Sequence, residues 1–183
     1  MNIIVERFNK IKLNISKINN PSALKIIAIS KTFPLEHIMP LIELGHNHFG
    51  ENKVQEAETK WNKIKKEKNN LQLHMVGKLQ SNKAKKAVEI FDYIHSLDSQ
   101  KLADILSKCQ NEIKKSINYF IQVNVGSESQ KAGILPADAD VFIKECIAME
   151  LPIIGLMVIP PVNEEASLHF ALLRKIADRN GLT

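Results

Sequence analysis

Paired cysteines, glycine-rich phosphate loops, long apolar runs and aromatic clusters are all missing from this chain, and each absence removes a class of function. The two cysteines among 183 residues, Cys109 and Cys146, match no metal-ligand or redox spacing. They read as reduced core thiols of a cytosolic protein. Aromatic residues make up only 5% of the chain, too little to build a base-stacking surface for nucleic acid. The formal charge of +5 does not reverse that argument, because lysine and glutamate are mixed along most segments. The densest basic stretch, residues 60–68, contains Glu67 and reads as a solvated helix face. The longest apolar run, residues 152–162, is broken by Pro160-Pro161 and falls short of the roughly 20 residues that span a bilayer. The amino terminus lacks the basic-then-apolar profile of a secretory signal. A cytoplasmic protein without a membrane partner is the expectation, with nucleic-acid binding left as the minor alternative.

What is present is an alternation. Short β-branched runs at residues 25–30, 46–50, 71–76, 93–97, 119–125 and 152–159 are separated by segments of helical period, with no linker-like stretch between them. Most of these runs are apolar on both faces, as strands of a helix-covered parallel sheet should be. Val54, Ala57, Trp61 and Ile64 share one helical face, as do Leu102, Ile105, Cys109 and Ile113. An amphipathic helix over residues 5–18 precedes the first strand, and Pro136 suits the first turn of a helix running to Met149. Asn163 is placed to cap the last helix, which Gly181 ends. The order is one helix followed by six βα units in a single domain, residues 1–183. A doubly wound nucleotide-binding sheet would place glycines in the turn after its first strand. That turn is Ser30-Lys31-Thr32-Phe33-Pro34, without a glycine. The α/β fold expected is therefore a TIM-type (β/α) barrel with about six of its eight units present. Six strands cannot close at the usual geometry, so the first and last would present free edges.

In such barrels the carboxyl ends of the strands face the site. Lys31 follows the first strand directly, and an ammonium sheltered at an apolar mouth favours the free amine that attacks aldehydes. From position alone, a solvated loop lysine is the plainer reading. Asn52 ends the second strand, where its amide can bind a ligand oxygen or cap the helix that follows. His48, Gly50 and Asn52 share one strand face, with Phe49 and Glu51 on the other. His74 near the third strand reads as a hydrogen-bonded core histidine, and His46-x-His48 lacks a third metal ligand. Lys78 and Lys83 lack the Walker spacing. Gly133 marks a turn that needs positive φ, and Met157 is an adaptable apolar side chain that fills core or lines a pocket.

Taken in order, these blocks resemble one family. Ile29-Ser-Lys31-Thr, Phe49-Gly-Glu-Asn52-x-Val54-Gln55-Glu56, His74-x-x-Gly77-x-Leu79-Gln80-x-Asn82-Lys83, Asn124 through Lys131-x-Gly133, and Gly155-Leu-Met157-x-Ile159-Pro160 are similar to the pyridoxal phosphate homeostasis proteins. The resemblance implies a barrel like the N-terminal domain of alanine racemase. It implies pyridoxal 5′-phosphate joined to Lys31 as an imine, Asn52 as a cofactor neighbour, and His74 and Met157 as pocket lining. It also implies a role in vitamin B6 homeostasis, without turnover of a dedicated substrate, in which cofactor is buffered and delivered to pyridoxal-phosphate-dependent apoenzymes. Family members continue with Ser-x-Gly-Met-Ser and Gly-x-x-x-Val-Arg-x-Gly segments expected to grip the phosphate, and this chain ends at Thr183 before them. Two further readings stay open at this point. One is an amino-acid racemase or lyase, for which Tyr93 and Tyr119 stand at strand starts, the wrong end of the barrel. The other is a truncated, non-functional remnant.

Overall fold

The computed structural model describes residues 2–20, 24–126 and 132–182. Lys131, one of the family-like positions, lies outside the described residues. The chain begins with α1 (Ile3–Ile15), whose Asn2 side chain accepts the Ile4 amide and so caps the helix. Six βα units follow. They are β1 (Ala28–Ile29) and α2 (Leu35–Glu43); β2 (His48–Glu51) and α3 (Val54–Glu67); β3 (Gln72–Met75) and α4 (Ala84–Ile90); β4 (Tyr93–Leu97) and α5 (Gln100–Ile113); β5 (Asn118–Gln122) and α6 (Ala139–Ala148); and β6 (Ile153–Met157) and α7 (Ala166–Arg179).

All five strand pairings are parallel, and the strands lie in the order β1-β2-β3-β4-β5-β6. A doubly wound sheet reverses its order at a switch point, whereas a barrel adds each strand beside the last in one direction. Unbroken sequential order is the barrel pattern, with β1 and β6 as its two edges.

Strand alternation divides the side chains between two layers. Phe49, Leu73, Met75, Ile94, Tyr119 and Ile121, each at most 1% exposed, face the helices and form the core with Trp61, Ala87, Leu106 and Ile143. Each large apolar side chain buried there contributes about 1.5–3 kcal/mol. The opposite, concave face carries Ile27, Ile29, His48, Gly50, Asn52, His74 and His95. At the β1 edge this face opens to solvent, and Ile29 is 48% exposed.

Several expectations shift in detail. Only Ala28 and Ile29 pair within the run predicted as the first strand, because an edge strand has a single neighbour to hold it. The first helix starts and ends two to three residues earlier than the 5–18 periodicity implies. Asn163 does not cap α7; the cap is Glu165, whose carboxylate accepts the Ser167 amide at 3.4 Å. Pro136 lies in the turn before α6, not within its first turn. Gly181, at φ +68, does end α7, and Gly133 does take a positive φ of +125. No helix among the described residues is long and apolar enough to cross a membrane.

Candidate functional site

Two of the expected residues, Lys31 and Asn52, follow the carboxyl ends of the paired strands β1 and β2. Ile29 pairs with Gly50, and Ser30 extends the ladder by donating its amide to the Gly50 carbonyl at 2.9 Å. The pairing ends there: Lys31 lies in the turn that follows β1, and Asn52 is the residue just after β2. Ser30 is 3% exposed and turns its hydroxyl toward Glu51 in the helix-side core. Lys31 itself is exposed. The shelter expected of a barrel mouth is not supplied, because β1 is an edge strand with no further strand beyond it among the described residues.

Asn52 is not a helix cap. The residue at the N-cap of α3 is Lys53, and no side chain caps that helix. The Asn52 Oδ1 is instead buried without a hydrogen-bond partner among the described residues. A buried acceptor left unpaired costs about 1–3 kcal/mol, so its retention calls for an explanation outside the chain's own hydrogen bonds. The neighbouring backbone is fitted closely to it: a Cβ on Gly77 would collide with the Asn52 carbonyl oxygen and come within 2.7 Å of the Asn52 Cβ. Asn52, Gln55, Gly77, Lys78 and Lys83 line a cavity of about 430 Å³ at the ends of β2 and β3.

His74 sits deeper on the same face, two residues before Val76 and level with Gly50. It is the centre of a row: His48 Nδ1 lies 2.9 Å from His74 Nε2, and His74 Nδ1 lies 2.9 Å from His95 Nε2. Tyr93 stacks on His74 with centroids 4.3 Å apart, and Phe120 stacks on His95 at 4.4 Å. Burial pushes His74 down to about 3, helped by the adjacent His95 and His48, and pushes His95 down to about 4. His74 is thus a hydrogen-bonded interior histidine, held neutral at physiological pH. Met157 pairs with Gln122 at the β6 edge of the sheet, away from β1 and β2 in strand order. Among the described residues no group of three or more His, Cys, Asp or Glu side chains could hold a metal ion.

A third cluster contacts the two residues that flank Lys31, Ser30 and Thr32. Glu51 is fully buried, and its Oε1 accepts from Ser30 Oγ at 2.8 Å, Trp61 Nε1 at 2.9 Å and Lys60 Nζ at 2.9 Å. Lys60 also donates to the Ser30 carbonyl at 2.8 Å and to Glu56 Oε1 at 3.0 Å. Glu56 Oε1 accepts the Thr32 amide at 2.6 Å. The Lys60 ammonium and the Thr32 N–H together hold the Glu56 carboxyl below its usual range. Two signals for this cluster are present in the sequence: a glutamate on the core face of an apolar strand, and the i,i+4 spacing of Glu56 and Lys60.

The chain matches the family "Alanine racemase, N-terminal domain" over residues 7–179. It is 34% identical over 160 residues to the pyridoxal phosphate homeostasis protein of Haemophilus influenzae, covering 87% of this chain and 68% of that one. The Pasteurella multocida protein of the same name is 38% identical over 145 residues, and there the match spans 62% of the relative's length and 79% of this chain. PipY of Synechococcus elongatus, solved with PLP bound, superposes with a TM-score of 0.82 at 33% identity, covering 97% of this chain and 84% of that one.

Proposed function

Since this chain belongs to the alanine racemase N-terminal-domain family, and within it to the pyridoxal phosphate homeostasis proteins, we propose that it holds pyridoxal 5′-phosphate covalently through Lys31. Its role in this reading is to keep a reactive aldehyde cofactor bound and to release it to apoenzymes that need it, with no dedicated substrate of its own. The observations that carry the proposal are an exposed amine just past β1 and, just past the neighbouring strand β2, an Asn52 amide whose buried oxygen has no partner among the described residues.

When bound, the cofactor supplies an aldehyde that an amine can capture reversibly and a ring that withdraws electrons. The residues present fit that group. Lys31 provides the nucleophilic amine, and its exposure lets water reach the linkage and reverse it, which suits a carrier more than a sealed catalytic site. Asn52 offers a neutral amide with one open position, so it orients a polar ring substituent without adding charge. His74 stays uncharged below them and supports the floor of the site through His48 and His95. Lys53, Lys78 and Lys83 place positive charge around the adjoining cavity, on the side where a phosphate dianion is best tolerated.

A racemase reading needs a second base facing the lysine. Tyr93 begins β4, and Tyr119 is fully buried against the helices near the start of β5, which supports the non-catalytic reading.

The test is reconstitution of the purified chain with pyridoxal phosphate, an absorbance scan, borohydride reduction and peptide mass mapping. A reduced adduct on Lys31 is expected. An adduct confined to other lysines, or no new absorbance band, overturns the proposal. Alanine α-deuterium exchange clearly faster than with free cofactor would transfer the assignment to the racemase class.

A further inference from the structure

The turn that carries Lys31 is held in a costly conformation. Phe33 donates its amide to the Ser30 carbonyl at 3.2 Å, making Lys31 and Thr32 the two central residues of a four-residue turn. Thr32 has φ +66. Positive φ at the third position of such a turn is normally supplied by glycine or asparagine; a β-branched residue there is an outlier that costs about 1–3 kcal/mol. Strain of this kind persists only where the surroundings over-determine it.

The surroundings here include the Ser30 amide's bond to the Gly50 carbonyl and three contacts from one ion cluster. Ser30 Oγ donates to Glu51 at 2.8 Å, the Ser30 carbonyl accepts from Lys60 at 2.8 Å, and the Thr32 amide donates to Glu56 at 2.6 Å. Residues 30 and 32 are therefore anchored on either side of Lys31, while its own side chain stays free. Lys60 links the two anchors, because it bridges Glu51 at 2.9 Å and Glu56 at 3.0 Å with a side chain only 8% exposed. A stability device would not need to grip a strained, exposed turn at both flanks of one lysine.

We infer that Glu51, Glu56 and Lys60 are positioning residues: they form a clamp that fixes the Lys31 turn and so sets how fast the Lys31 amine captures an aldehyde. This rests on the cofactor reading above. In the step concerned, the Lys31 nitrogen adds to the aldehyde carbon and the carbonyl oxygen leaves as water. One C=N bond replaces the C=O bond, with no oxidant or reductant. The clamp touches neither partner. Its effect is on the direction in which the amine is presented, and misplacement by about 1 Å can slow a step roughly a hundredfold.

Glu56 is the position to test, since its side chain is 27% exposed and its removal leaves the core packed. The whole chain is compared with Glu56→Ala, which removes the acceptor of the Thr32 amide, and Glu56→Gln, which keeps a neutral one. Amide exchange at Thr32 is measured without cofactor, and the rate of the absorbance change on adding pyridoxal phosphate is measured with it. Glu56→Ala should raise Thr32 exchange roughly tenfold and slow attachment roughly ten- to a hundredfold, at nearly unchanged Tm; Glu56→Gln should restore most of both. Faster exchange with unaltered attachment overturns the inference, and so does exchange that does not change. If the unaltered chain itself fails to attach cofactor, the cofactor reading fails, and with it the role in capture; the exchange comparison then still decides whether Glu56 fixes the turn.

Discussion

Lys60 reaches from α3 to place its ammonium 2.9 Å from the carboxylate of Glu51, a side chain with no solvent exposure at all. With the contacts of both side chains to Ser30, the pair joins the turn after β1 to β2 and α3. Taking two charges out of water is expensive, and Glu51 Oε2 has no partner to offset its share. An apolar pair of similar volume would hold the same space at less cost, so conformational fixation, more than stability, accounts for it.

That view predicts a strongly non-additive mutant cycle. Glu51→Leu alone leaves the Lys60 ammonium with only the part-exposed Glu56 carboxylate and the Ser30 carbonyl, and Lys60→Met alone leaves a fully buried carboxylate with neutral donors only. Each single change should cost roughly 3–5 kcal/mol in urea unfolding. The double variant should be more stable than either single one, because no charge is left uncompensated. Losses that simply add would show that the two side chains do not depend on each other.

The sheet was legible because burial on both faces leaves a plain mark: six apolar runs, all in the places where parallel strands occur. The glycine-free turn at Lys31 then excluded the doubly wound alternative, which the sequential strand order bears out. Ends of elements were harder, since Asn163 and Glu165 are both credible caps and only the path of the chain selects Glu165. The histidine row was not legible. His74 alone reads as core, His48 as half of a His-x-His pair without a third metal ligand, and His95 carries no signal of its own; the row exists only through the registers of β2, β3 and β4, which no single segment encodes. The clamp fell between these cases. Alternation put Glu51 opposite Asn52, but its partner is known only once α3 is laid across β2. The shelter expected for Lys31 failed for a related reason: desolvation of an edge residue depends on what lies beyond the edge.

The histidine row should make the protein acid-sensitive in a defined window. In an unfolded chain these imidazoles titrate near 6.5, whereas in the fold burial lowers His74 to about 3 and His95 to about 4. Between those values the unfolded state binds more protons than the folded one. The stability gained from keeping the rings neutral is therefore complete above about pH 6.5. It declines as pH falls through the window, by up to about 1.4 kcal/mol per pH unit for each histidine. It is gone below the folded values. His95→Gln keeps a polar side chain against Phe120 but removes one titration. Urea unfolding at several pH values between 4 and 7 should show a shallower slope for this variant, and equal slopes would place the acid loss elsewhere.

Asn52 offers the clearest separation of fit from stability. Its Oδ1 is buried and unpaired, so the folded chain bears the cost of desolvating an acceptor and receives nothing back. Asn52→Ala removes that acceptor and should leave urea stability unchanged, or raise it by up to about 1 kcal/mol, although nearly every other change at a strand end lowers it. Cofactor retention should move the other way, with faster loss on dilution, because the amide that orients the bound group is absent. Gly77→Ala is the matching control. Its added Cβ would strike the backbone of Asn52, while the same change at Gly50 meets chiefly the movable end of Ile29, 2.7 Å away. Gly77→Ala should therefore lose both stability, by roughly 1–3 kcal/mol, and cofactor retention, with Gly50→Ala milder on each. If Asn52→Ala instead destabilises the apoprotein as much as Gly77→Ala does, the amide serves the fold and the open position at its oxygen has no ligand to explain.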